Sequence, residues 1–333
     1  MNADLHTALT RIADLESRSY TVESRPQDQW KGGDYVFARV TQRPAPDARI
    51  ENPRGRRVEL MEDETIVSAL GTRRATRGLV GGWRDVEDDG ILDVMTGGGV
   101  LGRVTSASPF SPASIEVEYE GHVVIDGDVV RMRDYGVSAA SSSIETPVVL
   151  VLGTSMSAGK TMSGRVITRL LVENGYDVAA CKLTGAGTYN DVLSMEMAGA
   201  DPIYDFVDAG LPTTVVSRDT FNKAVEPLLY RMQDADVIVA EVGASPLEPY
   251  NGEAAVELLE DQVVFTVLCA SDPYAVVGIE DAFEWSPDLV AGIATNTTAG
   301  IDLIEELTGH AALNLLEERA KEPLAEMLLD TLP

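Results

Sequence analysis

The chain has 333 residues, 44% hydrophobic and 24% charged, with 29 glycines and 16 prolines. That length suggests two domains and excludes a peptide toxin or a lone binding module, and the composition excludes a disordered chain. Its 54 acidic against 26 basic residues give a formal charge of −28, which excludes the basic footprint of a nucleic-acid binder and suits a very salty cytoplasm where salt screens self-repulsion.

No apolar run approaches the roughly 18 residues of a membrane span. The start, MNADLHTALTRIADLE, has acids where a signal peptide needs basic residues. A cytoplasmic protein with neither nucleic-acid nor membrane partners is expected.

Residues 3–18 carry Leu5, Leu9, Ile12 and Leu15 at helical spacing and predict an amphipathic helix. Short runs separated by Gly, Pro and Asp follow: DYVFARVTQ, RRVELM, GILDVMT, GVLGRVTS, SIEVEYEG and HVVIDGDVVRMR. Their alternation predicts a smaller β-rich α+β domain over residues 1–140. Within it, Arg54, Arg56, Arg57, Arg73, Arg74, Arg77 and Arg84 either pair with nearby acids or form a site for an anionic substrate. The triple glycine Gly97 to Gly99 is followed by no helical pattern and does not read as a dinucleotide loop.

The segment Ser138 to Pro147, SAASSSIETP, is small, polar and closed by proline, and predicts a linker. Residues 1–145 carry 17 basic and 24 acidic groups, whereas 146–333 carry 9 and 30. Beyond Thr146, apolar strand-like runs (PVVLVLG, DVAACKL, DVIVAEVG, QVVFTVLC, LVAGIATN) alternate with helical patterns. The helices are expected at Met162 to Asn174, DVLSMEMAGA, Asn222 to Gln233, AAVELLED, Gly300 to Leu307 and Leu316 to Leu329. This is the pattern of an α/β domain, 146–333, with a doubly wound, mostly parallel sheet whose ligand sits at the carboxyl ends of its strands.

Cys181 and Cys269 lie in apolar runs and read as small buried hydrophobes. His6, His122 and His310 lack metal-ligand spacing, so any metal is expected to be magnesium on oxygen ligands.

The strongest chemical signal is VVLVLGTSMSAGKTMSGRVITRLL. A strand ends at Gly153; Thr154, Ser155, Met156, Ser157, Ala158 and Gly159 form a loop; Lys160 and Thr161 open a helix. Small residues let the backbone wrap a phosphate chain, the helix N-terminus faces the anion, Lys160 adds charge, and the Thr161 hydroxyl suits magnesium. Glu241 ends an apolar strand and suits magnesium or base chemistry. Lys182, also at a strand end, suits a transferring phosphoryl group or a substrate carboxylate.

Asp191, opening a helix, is a candidate for magnesium or substrate, and Asn296 for a purine edge. Thr184, Gly185 and Gly187 form a candidate closing loop. Asp205, Asp208 and Glu248 are weaker candidates.

The loop differs from strict G-x-x-x-x-G-K-[ST] in having Thr154 at the first glycine position with Gly153 before it. In that form it resembles dethiobiotin synthetase and the wider P-loop class that includes the nitrogenase iron protein, over residues 146–333. The resemblance extends to Lys182 in CKLTGAG, with Leu183 where the family has proline, to Glu241, Gly243 and Ala244 in VIVAEVGAS, and to Asn296. The switch-type members' signature lysine near the loop's start is absent here.

The resemblance implies ATP, with GTP as the alternative, and Mg2+. It also implies phosphoryl transfer to a small anionic metabolite, by a kinase or by a ligase acting through an acyl or carbamoyl phosphate. A nucleotide-dependent regulator with a protein partner and a passive phosphate-binding protein are the competing readings. Whether the chain is a homodimer is left open.

Overall fold

The computed structural model describes residues 2–46, 48–138, 144–283 and 285–332, so residues 139–143 of the expected linker lie outside the described residues. The chain falls into two compact units. The first takes residues 1–138 together with 185–190 and 206–224; the second takes 139–184, 191–205 and 225–333.

The first unit is built on a ten-stranded sheet. Its longest strand, Ile115–Ile125, pairs antiparallel with Tyr35–Val40 and Ile91–Val94. Thr65–Ala69 flanks Tyr35–Val40, and Leu101–Ala107, Leu79–Gly82 and Thr72–Arg74 continue the other side. Val36, Ala38, Ile66, Leu92 and Val117 from these strands share one buried core.

SIEVEYEG and the first four residues of HVVIDGDVVRMR, read separately in the sequence, run through Gly121 as one strand, Ile115–Ile125, onto which Asp128–Val129 turns back antiparallel. Gly121 marks a shift in register where a Cβ would lie 2.7 Å from Val22 Cγ1, so the glycine bends the strand without ending it. The strands Thr65–Ala69, Thr72–Arg74 and Leu79–Gly82 lie in stretches the sequence left unassigned.

The amphipathic helix expected over 3–18 does not form. Leu5–His6 is a short strand parallel to Thr65–Ala69, followed by 3-10 turns at Ala8–Ala13 and Leu15–Ser17. Thr7 donates its N–H to Val67 O (3.0 Å) and shares a hydrogen bond with the Ser68 hydroxyl (2.7 Å), while the Thr10 hydroxyl returns to Thr7 O (2.8 Å). These bonds compete with an α-helical ladder, and Asp14 in the left-handed region at φ +48° interrupts the run. Leu9 and Leu15 are nevertheless buried, as the hydrophobic spacing required.

The second unit holds six strands, all parallel, in the order Ile203–Asp205, Val178–Thr184, Val237–Val242, Val148–Gly153, Val263–Cys269, Leu289–Ala291. The four middle strands are almost wholly buried, which is why they read as continuous apolar runs. From Gly153 the chain passes through the helix Lys160–Glu173 to the Lys182 strand. From Glu241 it passes in the opposite direction, through the helix Gly252–Leu259, to the Cys269 strand.

Right-handed crossovers put those two helices on opposite faces of the sheet. A crevice therefore opens between the carboxyl ends of the adjacent Gly153 and Glu241 strands. Ile167 and Leu171 of the first helix pack into a core with Val149, Val151, Val237 and Val239.

The helix expected at Asn222 to Gln233 runs Arg218–Tyr230, because Ser217 offers its hydroxyl to the Thr220 N–H (3.3 Å) and starts it earlier. Pro273–Phe283 is a helix and Ile203–Asp205 an edge strand, neither expected from the sequence. LVAGIATN does not continue as a strand to Asn296. It ends at Ala291, since Gly292 turns the chain at φ +90°.

Candidate phosphate and magnesium site

The turn after Gly153 is shaped by its small residues. Ser157 (φ +59°) and Gly159 (φ +107°) adopt left-handed backbone, and Lys160 begins the helix immediately afterwards. Among the described residues, none of the backbone N–H groups of Ser155, Met156, Ser157, Ala158 and Gly159 donates to a protein acceptor. Consecutive donors without acceptors, ahead of a helix N-terminus, form a concave anion cradle.

Gly153 has a separate task, because a Cβ there would lie 2.7 Å from both Cδ and Nζ of Lys160. The lysine folds back over the end of the strand, through space that only glycine leaves open. Thr154, at the first glycine position of the strict motif, donates its N–H to Cys269 O (3.0 Å), and its hydroxyl accepts from the Ser271 N–H (3.0 Å). The threonine hydroxyl thus ties the loop to the segment that follows the neighbouring strand.

Lys160 is 6% exposed, and its Nζ donates to Ser155 O at 2.8 Å. Burial pushes its pKa below the ordinary lysine range, against the pull of Glu241. A desolvated ammonium beside a loop whose N–H groups have no protein acceptor favours an anion there.

Glu241 is fully buried at the end of its strand and accepts a hydrogen bond from the Thr161 hydroxyl at 3.1 Å. Burial raises its pKa, with Lys182 and Lys160 acting in the other direction. In the sheet register Glu241 pairs with Val151 on one side and Lys182 on the other, and Lys182 pairs with Asp205.

Lys182 is buried and ion-paired to Asp191. Burial opposes its charge, but Asp191, Glu241 and Asp205 outweigh it and raise its pKa. Gly243 leaves room for this arrangement: its Cβ would lie 2.2 Å from Thr184 O and 3.0 Å from Lys182 Cε. Of the chain's five lysines, Lys160 and Lys182 are buried here, while Lys31, Lys223 and Lys321 are exposed.

The remaining candidates divide. Asp191 is engaged by Lys182. Glu248 is buried and accepts the Ser245 N–H at 2.8 Å. Asn296 is exposed and follows the 3-10 turn Ile293–Thr295, whose first N–H donates to Ala158 O at 3.1 Å. That contact ties the Asn296 turn to the phosphate loop.

Asp208 is ion-paired with Arg11 at 2.9 Å within the first unit. The expected closing loop is pinned. The Thr184 hydroxyl donates to Gly243 O (2.8 Å), the Gly185 N–H to the Thr214 hydroxyl (2.9 Å), and the Gly187 N–H to Pro212 O (3.1 Å).

The sequence reading missed Gly292, whose Cβ would lie 2.2 Å from Ala158 O, and Ser271. A glycine directly after an apolar strand was the available signal for the first. Among the described residues no group of three or more His, Cys, Asp or Glu could hold a metal ion. The donor set Thr161 and Glu241, beside a phosphate cradle, instead suits Mg2+, which takes few protein ligands and completes its shell with phosphate and water. Among the described residues no helix is long and apolar enough to cross a membrane.

No family model and no curated protein matches the chain. Among solved structures it is similar to a DUF1611 family protein from Anabaena variabilis, at 17% identity and a TM-score of 0.39, over 62% of this chain and 65% of that one. It is also similar to chloroplast FtsY from Physcomitrella patens (11% identity, TM-score 0.35, 54% of this chain and 62% of that one). A third similar structure is the signal recognition particle 54 kDa protein from Aeropyrum pernix in complex with GDP (16%, 0.36, 59% and 49%). The chain thus covers less than two thirds of each. Strand, glycine loop, lysine and helix at the rim of a parallel sheet form a P-loop-like fold on this chain's own geometry.

Proposed function

We propose that the chain is a magnesium-dependent enzyme of nucleoside triphosphates, ATP or GTP, that moves the terminal phosphoryl group to a small anionic metabolite as a kinase or ligase does. The observation that carries this reading is the grouping of the buried Lys160, Glu241 and Lys182 with the half-buried Thr161, beside five unclaimed N–H groups at one crevice. A passive phosphate cradle needs neither the buried carboxylate nor the second lysine.

The N–H groups of Ser155 to Gly159 and the Lys160 ammonium bind the polyphosphate. Lys160 exchanges the Ser155 carbonyl for a phosphate oxygen, a charged partner that restores what burial took from it. Thr161 and Glu241 would hold Mg2+, which when bound neutralises charge on the phosphates. Asp191 holds Lys182 beside Glu241, where its charge supports a phosphoryl group in transfer. Positioning and electrostatics are what phosphoryl transfer asks of a protein.

The test is phosphate release and 31P detection of products with Mg-ATP and Mg-GTP, screened against carboxylate and amine metabolites. Turnover stimulated by a metabolite and abolished in Lys160→Ala, with circular dichroism unchanged, is the expected result. Full turnover in Lys160→Ala, or no binding of any magnesium nucleotide, overturns it.

A further inference from the structure

The first unit contains a cleft of about 330 Å³ whose lining has a charge opposite to that of the chain. Arg49, Arg57 and Arg73 reach it, while Leu79, Val94 and Ile115 are among its apolar walls. Among the described residues no carboxylate lines it, in a chain of net charge −28.

The arginine cluster seen in the sequence is here sorted into two groups. Arg54 pairs with Glu16 (3.4 Å) and Arg84 lies over the Trp83 ring (4.3 Å), whereas Arg57 and Arg73 converge on the cleft with Arg49, which the sequence pattern did not single out. Each is held from the side. Arg49 pairs through one Nη with Glu59 at 2.8 Å, Arg57 through Nε with the buried Glu51 at 3.6 Å, and Arg73 donates to Met95 O.

Glu51 is itself fixed, accepting the Tyr189 N–H at 2.7 Å and the Asn190 N–H at 3.4 Å, all within the first unit. Among the described residues neither Arg49 nor Arg57 has a second ion pair. Each therefore keeps further guanidinium donors for another acceptor.

We infer that this cleft is a binding site for a small organic anion, an oxyanion headgroup on an apolar body. The headgroup is received by the arginine forks, which suit carboxylate and phosphate oxygens in pairs. The apolar body lies against Leu79, Val94 and Ile115; pockets of this volume built from apolar walls and a few convergent polar groups are the usual form of a small-molecule site. The site is independent of the nucleotide reading and uses none of its residues.

Benzoate and phenyl phosphate serve as probes, with benzamide as the neutral isostere, titrated into the full chain by calorimetry and ligand-observed NMR. At least one anion is expected to bind, benzamide at least about tenfold more weakly, and the preference between the two identifies the headgroup as carboxylate or phosphate.

Arg57→Gln and Arg49→Gln, at side chains 60% and 54% exposed, should keep the fold and each weaken binding about tenfold, the scale of one charged hydrogen bond. Arg57→Lys, which keeps the charge and loses the fork, should fall between. Lys160→Ala should leave anion binding unchanged. The inference is overturned by equal binding of benzamide, by unchanged affinity in the Arg49→Gln/Arg57→Gln double variant, by loss of binding in Lys160→Ala, or by no binding of either anion up to about 10 mM.

Discussion

Gly153→Ala isolates the fold-back of Lys160 from every other property of the phosphate loop. The backbone at 153 lies outside the left-handed region, so alanine is tolerated there in conformation, but its Cβ would lie 2.7 Å from Lys160 Cδ and Nζ and 3.0 Å from Cγ. Contacts that close are not sustained, and the lysine must leave its position while loop, helix and sheet stay as they are. The loss expected is one charge-assisted hydrogen bond to phosphate, about 1.5–3 kcal/mol, or about a 10- to 150-fold weaker Kd for the magnesium nucleotide.

Gly278→Ala is the matched control. It lies in the helix Pro273–Phe283 with nothing within 4 Å of the new Cβ. It should leave binding unchanged and stabilise the protein by roughly 0.5–1 kcal/mol through helix propensity. Titration of a fluorescent nucleotide, with thermal melts of both variants, measures the two effects. Wild-type affinity in Gly153→Ala would refute the fold-back as the means by which Lys160 reaches the ligand.

Glu241→Gln keeps a hydrogen-bond partner for Thr161 but removes the charge that faces two lysines. Turnover should fall by about 10²-fold or more, the scale of losing one preorganised charged group, while nucleotide binding without metal changes little; magnesium-dependent turnover at the wild-type rate would sink the assignment. At high pH the buried thiols work against the fold. Burial pushes Cys269 up to about 11 and raises Cys181 as well, so the folded chain holds protons that the unfolded chain releases near pH 8.5. Stability is full below about pH 8.5 and falls as pH approaches 11, by about 3 kcal/mol for Cys269. Urea melts at pH 8 and 10.5 check this, and a Cys181→Ala/Cys269→Ala variant with an undiminished slope contradicts it.

The parallel sheet was legible because buried strands must be apolar along their whole length. VVLVLG and VIVAEV admit a charge only where the strand meets the crevice, which made Glu241 conspicuous. Lys182 stood out for the same reason, and Lys160 by its place between the glycine loop and the helix, in a lysine-poor chain. Hidden from the sequence were relations across distance: the engagement of Asp191 by Lys182, the turn at Gly292 that takes Asn296 off the strand, and the sorting of the arginines. In the first unit, hydrophobic spacing over residues 3–18 marked Leu9 and Leu15, which are buried, and Leu5 and Ile12, which are only half-buried. It misjudged their backbone, since Thr7 bonds to Val67 and Ser68 of a strand about 60 residues away, which no local period records, and Thr10 turns back onto Thr7 O.

The triple glycine, unsuited to a dinucleotide, has a mechanical use. The Gly98 N–H donates to Gly187 O at 3.1 Å, and a Cβ on Gly98 would lie 2.4 Å from that oxygen, within the first unit. Gly187 arrives there from the far side of the 138–144 stretch, as do Asp208, which holds Arg11, and the Asp208 carbonyl, which accepts the Val137 N–H at 2.8 Å. A protease cut or a stop codon near residue 140 would therefore release an N-terminal fragment short of its own stitching. Genetic dissection of the two halves must proceed by point replacement, since scissors applied to the chain would not yield two self-sufficient proteins.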